Sequence, residues 1–219
     1  DYLTYSQWGS GSGTTIYGLK TSTTYKAKVK AFAGKFSESA WGPVSAAAST
    51  ISTSISFSVG GVASGTTIAN AITDVSTTPV GVSFGEVSFD TPVEAAQSLV
   101  VNTNANSGYT ILVSQVDNLK NDLDIIFPAI SGTNSTPIAW PANIGAYGYH
   151  TTDSSLGTGT SGRFTNSNTF AQFTSTPLEV AYSATPVTNE TTYILYSIQA
   201  GHNTPSGNYS QTITYTMYG

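Results

Sequence analysis

The sequence predicts an all-β protein whose antiparallel strands form a sandwich or jelly roll. Apolar and polar residues alternate over short runs, as expected when one face of each strand is buried. Glycine, proline, asparagine and serine separate these runs at short intervals, a spacing typical of sandwiches and jelly rolls. No segment follows the 3.6-residue period of an amphipathic helix. About ten strands are therefore expected within the 219 residues.

Composition limits the classes of function. Charged residues make up only 9% of the chain, against about 25% in an average globular protein. A surface rich in serine, threonine and glycine is typical of exported proteins, so we expect an extracellular or cell-surface location. The absence of cysteine excludes disulfides and thiolate metal sites. A net charge of −5 argues against a nucleic-acid partner, and no apolar run is long enough to span a membrane.

Charge divides the chain near residue 50. The first segment is basic and carries Lys20, Lys26, Lys28, Lys30 and Lys35 against Asp1 and Glu38. The rest is acidic, with ten acidic residues against Lys120 and Arg163. The division fits two solvated surfaces, or head-to-tail docking between copies, which would generate a ring or a filament. A small polar stretch at 45–54 looks like a linker, so we predict domains at 1–50 and 51–219.

The first segment contains two predicted strands. Residues 14–19 alternate before a turn, and residues 25–31 alternate apolar side chains with three lysines. Leu19 and Tyr25 stand six residues apart across the turn, and Trp41 follows in the stretch SESAWGPVSAAAST.

These features resemble the second half of a fibronectin type III module. The resemblance implies that Tyr25 is the corner tyrosine and that the stretch containing Trp41 is the module's final strand. It covers about residues 1–50, three or four of the module's seven strands. The missing strands would precede residue 1 or come from another chain. A half-sandwich exposes sheet edges and an apolar face, so we expect something to cover it.

The second segment contains successive strand patterns. They lie at residues 51–59, 80–84, 98–101, 109–116, 170–173, 178–182, 192–198 and 212–217. The stretch VSFGEVSF with SLVVNTNANSGYTILVSQ resembles repeated surface proteins of bacteria. The ending PSGNYSQTITYTMYG resembles the closing strand of pilin-like and coat-like extracellular β-sandwiches. This resemblance implies a class of extracellular filament or coat subunits.

One segment has the pattern of a strand exchanged between copies. Its apolar side alternates with serines and consists of Ile51, Thr53, Ile55, Phe57 and Val59. Such a row can enter a groove of a neighbouring copy by strand addition. The second choice is 212–217. The alternative is that both are ordinary strands of their own domain.

Aromatic residues suggest a sugar-binding surface. Trp140, Tyr147 and Tyr149, with Trp8 elsewhere, could stack on sugars if they lie exposed on one face. The alternative is that these rings belong to the core.

An acidic cluster suggests calcium. Asp117, Asp122 and Asp124 lie close together with two asparagines, and calcium prefers such oxygen ligands. The spacing does not match an EF-hand, and a solvated acidic loop is the alternative. We expect no other cofactor.

Catalytic motifs are not convincing. Residues 157–162 match the dinucleotide pattern G-x-G-x-x-G, but no helical pattern follows. His150 with Asp153 and Ser154 lacks a nucleophile elbow. Three glycosylation sequons, at Asn134, Asn189 and Asn208, are expected by chance in a chain so rich in serine and threonine.

Three functions therefore stay open at this point. The first is a non-enzymatic structural subunit of an extracellular filament or surface layer, whose partners are other copies of itself. The second is an adhesin or carbohydrate-binding module whose partner is a glycan. The third is an accessory region of a larger secreted enzyme.

Overall fold

A computed structural model describes residues 3–4, 6–8, 13–33, 37–89, 91–142 and 144–219. The described residues form strands, turns and irregular segments without any helix, which confirms the all-β prediction. Accordingly, the described part of the chain offers no helix that could cross a membrane. The chain divides into two compact units, Asp1–Thr53 and Ser54–Gly219. Asp1 and Lys35, which belong to the predicted charge pattern, lie outside the described residues.

The first unit is a long two-stranded ribbon. Its short ladders are β1 (Thr24–Tyr25) with β4 (Ala48–Ser49), and β2 (Phe32–Ala33) with β3 (Ser37–Glu38). Between them the Gly42 amide donates to the Val29 carbonyl over 2.8 Å, so the two sides of the ribbon stay paired. Residues 14–19 form no strand, because nothing in the described part of the unit pairs with them.

The Tyr25 side chain closes the turn before β1. Its hydroxyl accepts a hydrogen bond of 2.9 Å from the Lys20 amide. The resemblance to a fibronectin type III module stays a prediction. Further along the ribbon, the Lys30 ammonium lies over the rings of Phe32 and Trp41, 4.8 and 5.0 Å from their centroids.

The second unit is built on two antiparallel sheets. Their strands are β5 (Ile55–Gly61), β8 (Val93–Thr103), β9 (Tyr109–Gln115), β12 (Ala146–Thr151), β14 (Leu178–Ser183), β15 (Val187–Gln199) and β17 (Ile213–Tyr218). The larger sheet has the order β12–β15–β8–β5 and the smaller one β14–β9–β17. Two-residue strands complete the unit: β6 (Thr67–Ile68), β7 (Ala71–Ile72), β10 (Lys120–Asn121), β11 (Ile138–Ala139), β13 (Thr169–Phe170) and β16 (Tyr209–Ser210).

Aromatic rings form the centre of the main core. Phe173 packs against Tyr149 with ring centroids 4.5 Å apart and against Tyr196 at 5.9 Å. A second cluster contains Leu195 and Phe170. Tyr196 and Leu195 are neighbours in β15, and neighbouring residues of a strand point to opposite faces. The larger sheet is therefore buried on both faces along the second half of β15 and in β12.

Most predicted strands of the second unit are present. Residues 98–101, 109–116, 178–182, 192–198 and 212–217 fall in or overlap β8, β9, β14, β15 and β17. The run at 170–173 is strand only at its first residue, in β13. Residues 80–84 are expected to form a strand and do not; Val82 and Phe84 are half-buried, but Val80 is 95% exposed.

Candidate functional site

The smaller sheet ends at β17, whose outer edge has no backbone partner in the described part of the chain. The Val116 amide donates to the Thr212 carbonyl, and this bond determines which residues of β17 bond to β9 and which point away from it. In an antiparallel ladder, alternate residues bond to the partner and the others point away from it. Thr214 and Thr216 therefore bond to β9, and the backbone groups of the three residues between and beside them point outward. These are Ile213, Tyr215 and Met217.

Within the described residues, no backbone hydrogen bond reaches those outward groups. The larger sheet ends on the same side at β5, because a Cβ placed on Gly219 would lie 2.5 Å from Cδ1 of Ile55. In the described part of the chain, β5 has no backbone bond outside its ladder with β8. The outer edges of β5 and β17 are called the open side below.

The opposite edges of the two sheets are called the closed side, and both are bonded. At β12, the amide and carbonyl of Tyr149 exchange bonds of 2.9 and 2.8 Å with Ala171. The Tyr147 carbonyl also accepts from the Ile130 amide at 2.9 Å. This edge is therefore paired by irregular chain.

At β14, side chains take the place of a neighbouring strand. The Tyr182 amide donates to a carboxylate oxygen of Asp153 over 2.7 Å. The carbonyl of Val180 accepts from the hydroxyl of Thr151 at 2.6 Å. Each of these contacts satisfies a group that a further strand would otherwise bind.

A buried ion pair anchors the closed side. Arg163 Nη2 lies 2.9 Å from Glu179 Oε2, with both side chains almost fully buried. The Glu179 carboxylate also accepts from the amides of Gly157 and Thr158, at 3.0 and 2.8 Å. Gly159 has φ +75°, and a Cβ there would lie 2.4 Å from the Arg163 guanidinium. The glycine-rich loop at 157–162 thus surrounds a carboxylate of its own chain.

Residues 79–87 are called the cover segment below, and five of them line a cavity together with the start of β17. Val82, Phe84 and Val87 pack against the main core. No backbone hydrogen bond involves residues 82–87 within the described part of the chain. Bonds hold the flanking residues, since Gln97 Nε2 donates to the Thr78 carbonyl at 2.7 Å and the Ala200 amide to the Ser88 carbonyl at 3.0 Å.

A cavity of about 340 Å³ separates the cover segment from the start of β17. In its wall, the Tyr196 hydroxyl donates to Gln97 Oε1 at 2.7 Å and lies 2.6 Å from the Tyr215 hydroxyl. The Tyr147 hydroxyl accepts from Gln211 Nε2 at 2.6 Å. Burial raises the pKa of Tyr147 well above its ordinary value, so this hydroxyl stays protonated.

The predicted sugar-stacking surface is wrong for two of its three residues. Tyr147 and Tyr149 are 6% and 0% exposed, so their ring faces are not accessible to a sugar. They belong to the core because β12 is buried on both faces. Trp140 is half-buried and donates from its indole nitrogen to Gln199 at 3.0 Å. Trp8 lies half-buried in the first unit.

The strand-exchange candidate lies in its own sandwich. Ile55, Phe57 and Val59 belong to β5 and pair with β8, and Phe57 and Val59 also pack on the main core. Ile51 and Thr53 lie outside any strand, in the first unit. Exchange of this segment between copies stays a prediction.

The calcium candidates do not converge. Asp124 pairs with Lys120 at 2.8 Å, and this lysine lowers the pKa of the Asp124 carboxyl. Asp117 and Asp122 point into solvent. Among the described residues no three histidine, cysteine or acidic side chains group as metal ligands. The loop is instead held by Asn121 Oδ1, which accepts from two backbone amides.

The remaining motif residues have structural partners. His150 is buried, its Nδ1 lies 2.8 Å from the Thr169 carbonyl, and burial lowers its pKa. Asp153, the supposed partner of His150, binds Tyr182 and Ser155 instead. The sequon residue Asn134 is buried and donates to the Tyr149 hydroxyl at 2.8 Å.

Glu94, a half-buried carboxyl in the larger sheet, is not among the residues predicted from the sequence. Glu94 accepts from the Ser197 hydroxyl at 2.9 Å, and burial raises its pKa to about 7. The repulsion from Asp74 acts in the same direction. No sequence signal distinguished Glu94, because its burial depends on the strand order of the sheet.

Together these features define an all-β sandwich protein with one bonded side and one unpaired side. The chain matches no protein-family model, no curated protein and no solved structure. The function of the chain is therefore inferred from its own geometry.

Proposed function

We propose that this chain is a non-enzymatic structural subunit of an extracellular filament or surface layer, and that its copies assemble by strand addition at β17. The observation that carries the proposal is the outer edge of β17. Its sequence, ITYTMY, has no charge, proline or glycine, and charge, proline and bulges are the devices that normally prevent edge pairing.

Strand addition would complete an unequal sandwich. Three strands of the smaller sheet face four of the larger one. A fourth strand beside β17 would satisfy the outward amides and carbonyls of Ile213, Tyr215 and Met217. Each backbone hydrogen bond contributes about 0.5–1.5 kcal/mol net, so several in a row support a stable contact once apolar burial is added.

Charge supports an ordered, head-to-tail arrangement. The first unit holds five lysines and two acidic residues, and the second holds ten acidic and two basic residues. Oppositely charged surfaces favour encounter between unlike ends of two copies. The low total charge also weakens repulsion between assembled copies.

The first unit supplies exposed apolar surface for assembly. Val29 and Trp41 are more than half exposed, at 52% and 58%. An isolated two-stranded ribbon is only marginally stable in water. Contact with another sheet would bury these side chains and stabilise the ribbon.

The test is negative-stain electron microscopy of the purified chain, with light scattering over a concentration series. Regular filaments or sheets, and a mass that rises with concentration, are the expected results. A monomer at every concentration would contradict the proposal.

A further inference from the structure

We propose that the cavity beneath the cover segment binds a small, neutral, polyhydroxylated ligand of monosaccharide size. The inference goes beyond assembly and does not depend on it. It rests on the lining of the cavity, on two unfilled hydrogen-bonding positions, and on the backbone of the cover segment.

The lining selects for a neutral ligand. The described residues around the cavity include no charged side chain. Tyrosine, serine and threonine hydroxyls and the amides of Gln97 and Gln211 supply its polar lining, and Val82, Phe84 and Ile213 contribute apolar wall. A charged ligand would lose hydration there without gaining a counter-charge. The volume of about 340 Å³ lies within the range of small-molecule sites.

Two positions in the wall lack a partner. Gln211 Oε1 is buried and accepts no hydrogen bond from the described residues. The Tyr147 hydroxyl accepts from Gln211 Nε2, and none of the described groups accepts its proton. One acceptor and one donor thus stand side by side without partners. A ligand hydroxyl satisfies both, because it donates and accepts at once.

Three further side chains of the wall form a completed chain. The Tyr196 hydroxyl donates to Gln97 and therefore accepts from the Tyr215 hydroxyl. Gln97 in turn donates to the carbonyl of Thr78, just before the cover segment. This chain fixes one wall of the cavity, and we assign ligand recognition to the Tyr147–Gln211 pair because its acceptor is buried without a partner.

The cover segment can act as a movable wall. Residues 82–87 can shift without breaking a backbone hydrogen bond to the described part of the chain, while both flanks stay anchored. Phe84 meets the Tyr147 ring edge-on, with centroids 6.3 Å apart. Gly85 has φ +67° and open space around its Cα, which suits a bend in a moving loop. A ligand can therefore enter by displacing Val82 and Phe84.

The test is an NMR titration of the isotope-labelled full chain at a concentration where it is monomeric. The probes are D-glucose, D-galactose and N-acetyl-D-glucosamine, with D-glucuronate as the charged counterpart. We expect at least one neutral sugar to cause saturable shifts in the Gln211 side-chain amide and in the backbone amides of residues 82–87. D-glucuronate should cause no saturable shift in these signals.

Variants separate the site from general effects. Tyr147→Phe and Gln211→Leu should each weaken binding by about tenfold, the loss expected for one hydrogen bond to a ligand. Tyr182→Phe, a half-buried tyrosine outside the cavity, should bind as the unaltered chain does.

Two results would overturn the inference. The first is the absence of saturable shifts with all three neutral sugars, which would leave the cavity as a site for ordered water only. The second is unchanged binding in the Gln211→Leu variant, which keeps the test decisive if Tyr147→Phe does not fold. Neither result bears on assembly, because the titration is made on the monomer.

Discussion

The two sides of the sandwich treat their sheet edges in opposite ways. On the closed side, the outward groups of Tyr182 and Val180 are bonded by an aspartate and a threonine, and Tyr149 is paired with irregular chain. On the open side, the outward groups of β17 have no backbone partner among the described residues. The same chain thus protects one side of the sandwich against strand pairing and leaves the other side unprotected. Because the fold contains the means to block an edge, the unblocked edge of β17 indicates a surface kept for pairing.

Removing the anchor of the closed side should have the largest effect. Glu179→Gln breaks the buried pair with Arg163, and such losses cost about 3–5 kcal/mol because they leave an uncompensated buried charge. Urea denaturation measures the free energy of unfolding. Glu86→Gln, at an exposed position, is the matched control and should change it by less than about 0.5 kcal/mol. Equal effects for the two variants would mean that the glycine-rich loop does not anchor this side.

A smaller effect on the free energy of unfolding is expected from Glu94 of β8. The backbone amide and carbonyl of Glu94 both bond to Asp74. The pKa of Glu94 is raised from 4.5 to about 7, so the folded state favours the protonated carboxyl. The stability contributed by Glu94 is therefore complete below about pH 4.5 and is lost as pH rises through about 7. The loss amounts to about 3 kcal/mol.

The check on this prediction is the free energy of unfolding at about pH 5 and about pH 8 for the unaltered chain and for Glu94→Gln. The variant should lose the part of the pH dependence that is due to Glu94. His150 has a lowered pKa and acts in the opposite direction, but it is present in both chains and cancels in the comparison. Identical pH profiles would contradict the assigned burial of Glu94.

Blocking the open edge should affect assembly more than stability. Ile213→Pro removes an amide that points away from β9, and proline is tolerated on the outer side of an edge strand. Ile213→Ala removes a similar apolar contact but keeps the amide. We expect the alanine variant to assemble and the proline variant to stay monomeric in light scattering, with similar denaturation midpoints. Assembly by both would exclude this edge as the contact.

The smallest effect is expected in the ribbon of the first unit. Glu38→Gln removes the partner of Lys30, but the Glu38 side chain is 54% exposed. Pairs of this kind contribute about 0–1 kcal/mol. The thermal unfolding midpoint of the ribbon, followed through the NMR signal of the Trp41 indole, should change by only a few degrees. A collapse of the ribbon would show that this pair, rather than the backbone ladder, holds it together.

Alternation of side chains made the strands with one buried face predictable. β9 and β17 were recognised for this reason. β12 was missed because all six of its residues are buried and no polar face marks it. Residues 80–84 are predicted as a strand because apolar and polar side chains alternate. A two-residue period of this kind indicates which side chains are apolar, but it carries no information about backbone partners.

The candidate site depends on strand order, which a single sequence does not reveal. The ending at 212–217 was recognised as a strand, yet its unpaired outer edge follows from its place beside β9. Tyr147 is predicted to stack on a sugar, but its ring is buried, and the residue lines the cavity instead. The partner of that hydroxyl, Gln211, lies 64 residues away in the chain.

The most direct test of strand addition is residue-resolved amide hydrogen exchange along β17, in the monomer and in the assembled state. In the monomer, the amides of Thr214 and Thr216 should exchange slowly, because they bond to β9, and those of Ile213, Tyr215 and Met217 should exchange fast. Assembly should make the three fast amides slow. If they continue to exchange fast in the assembled state, no strand is added at β17 and the proposed mode of assembly is wrong.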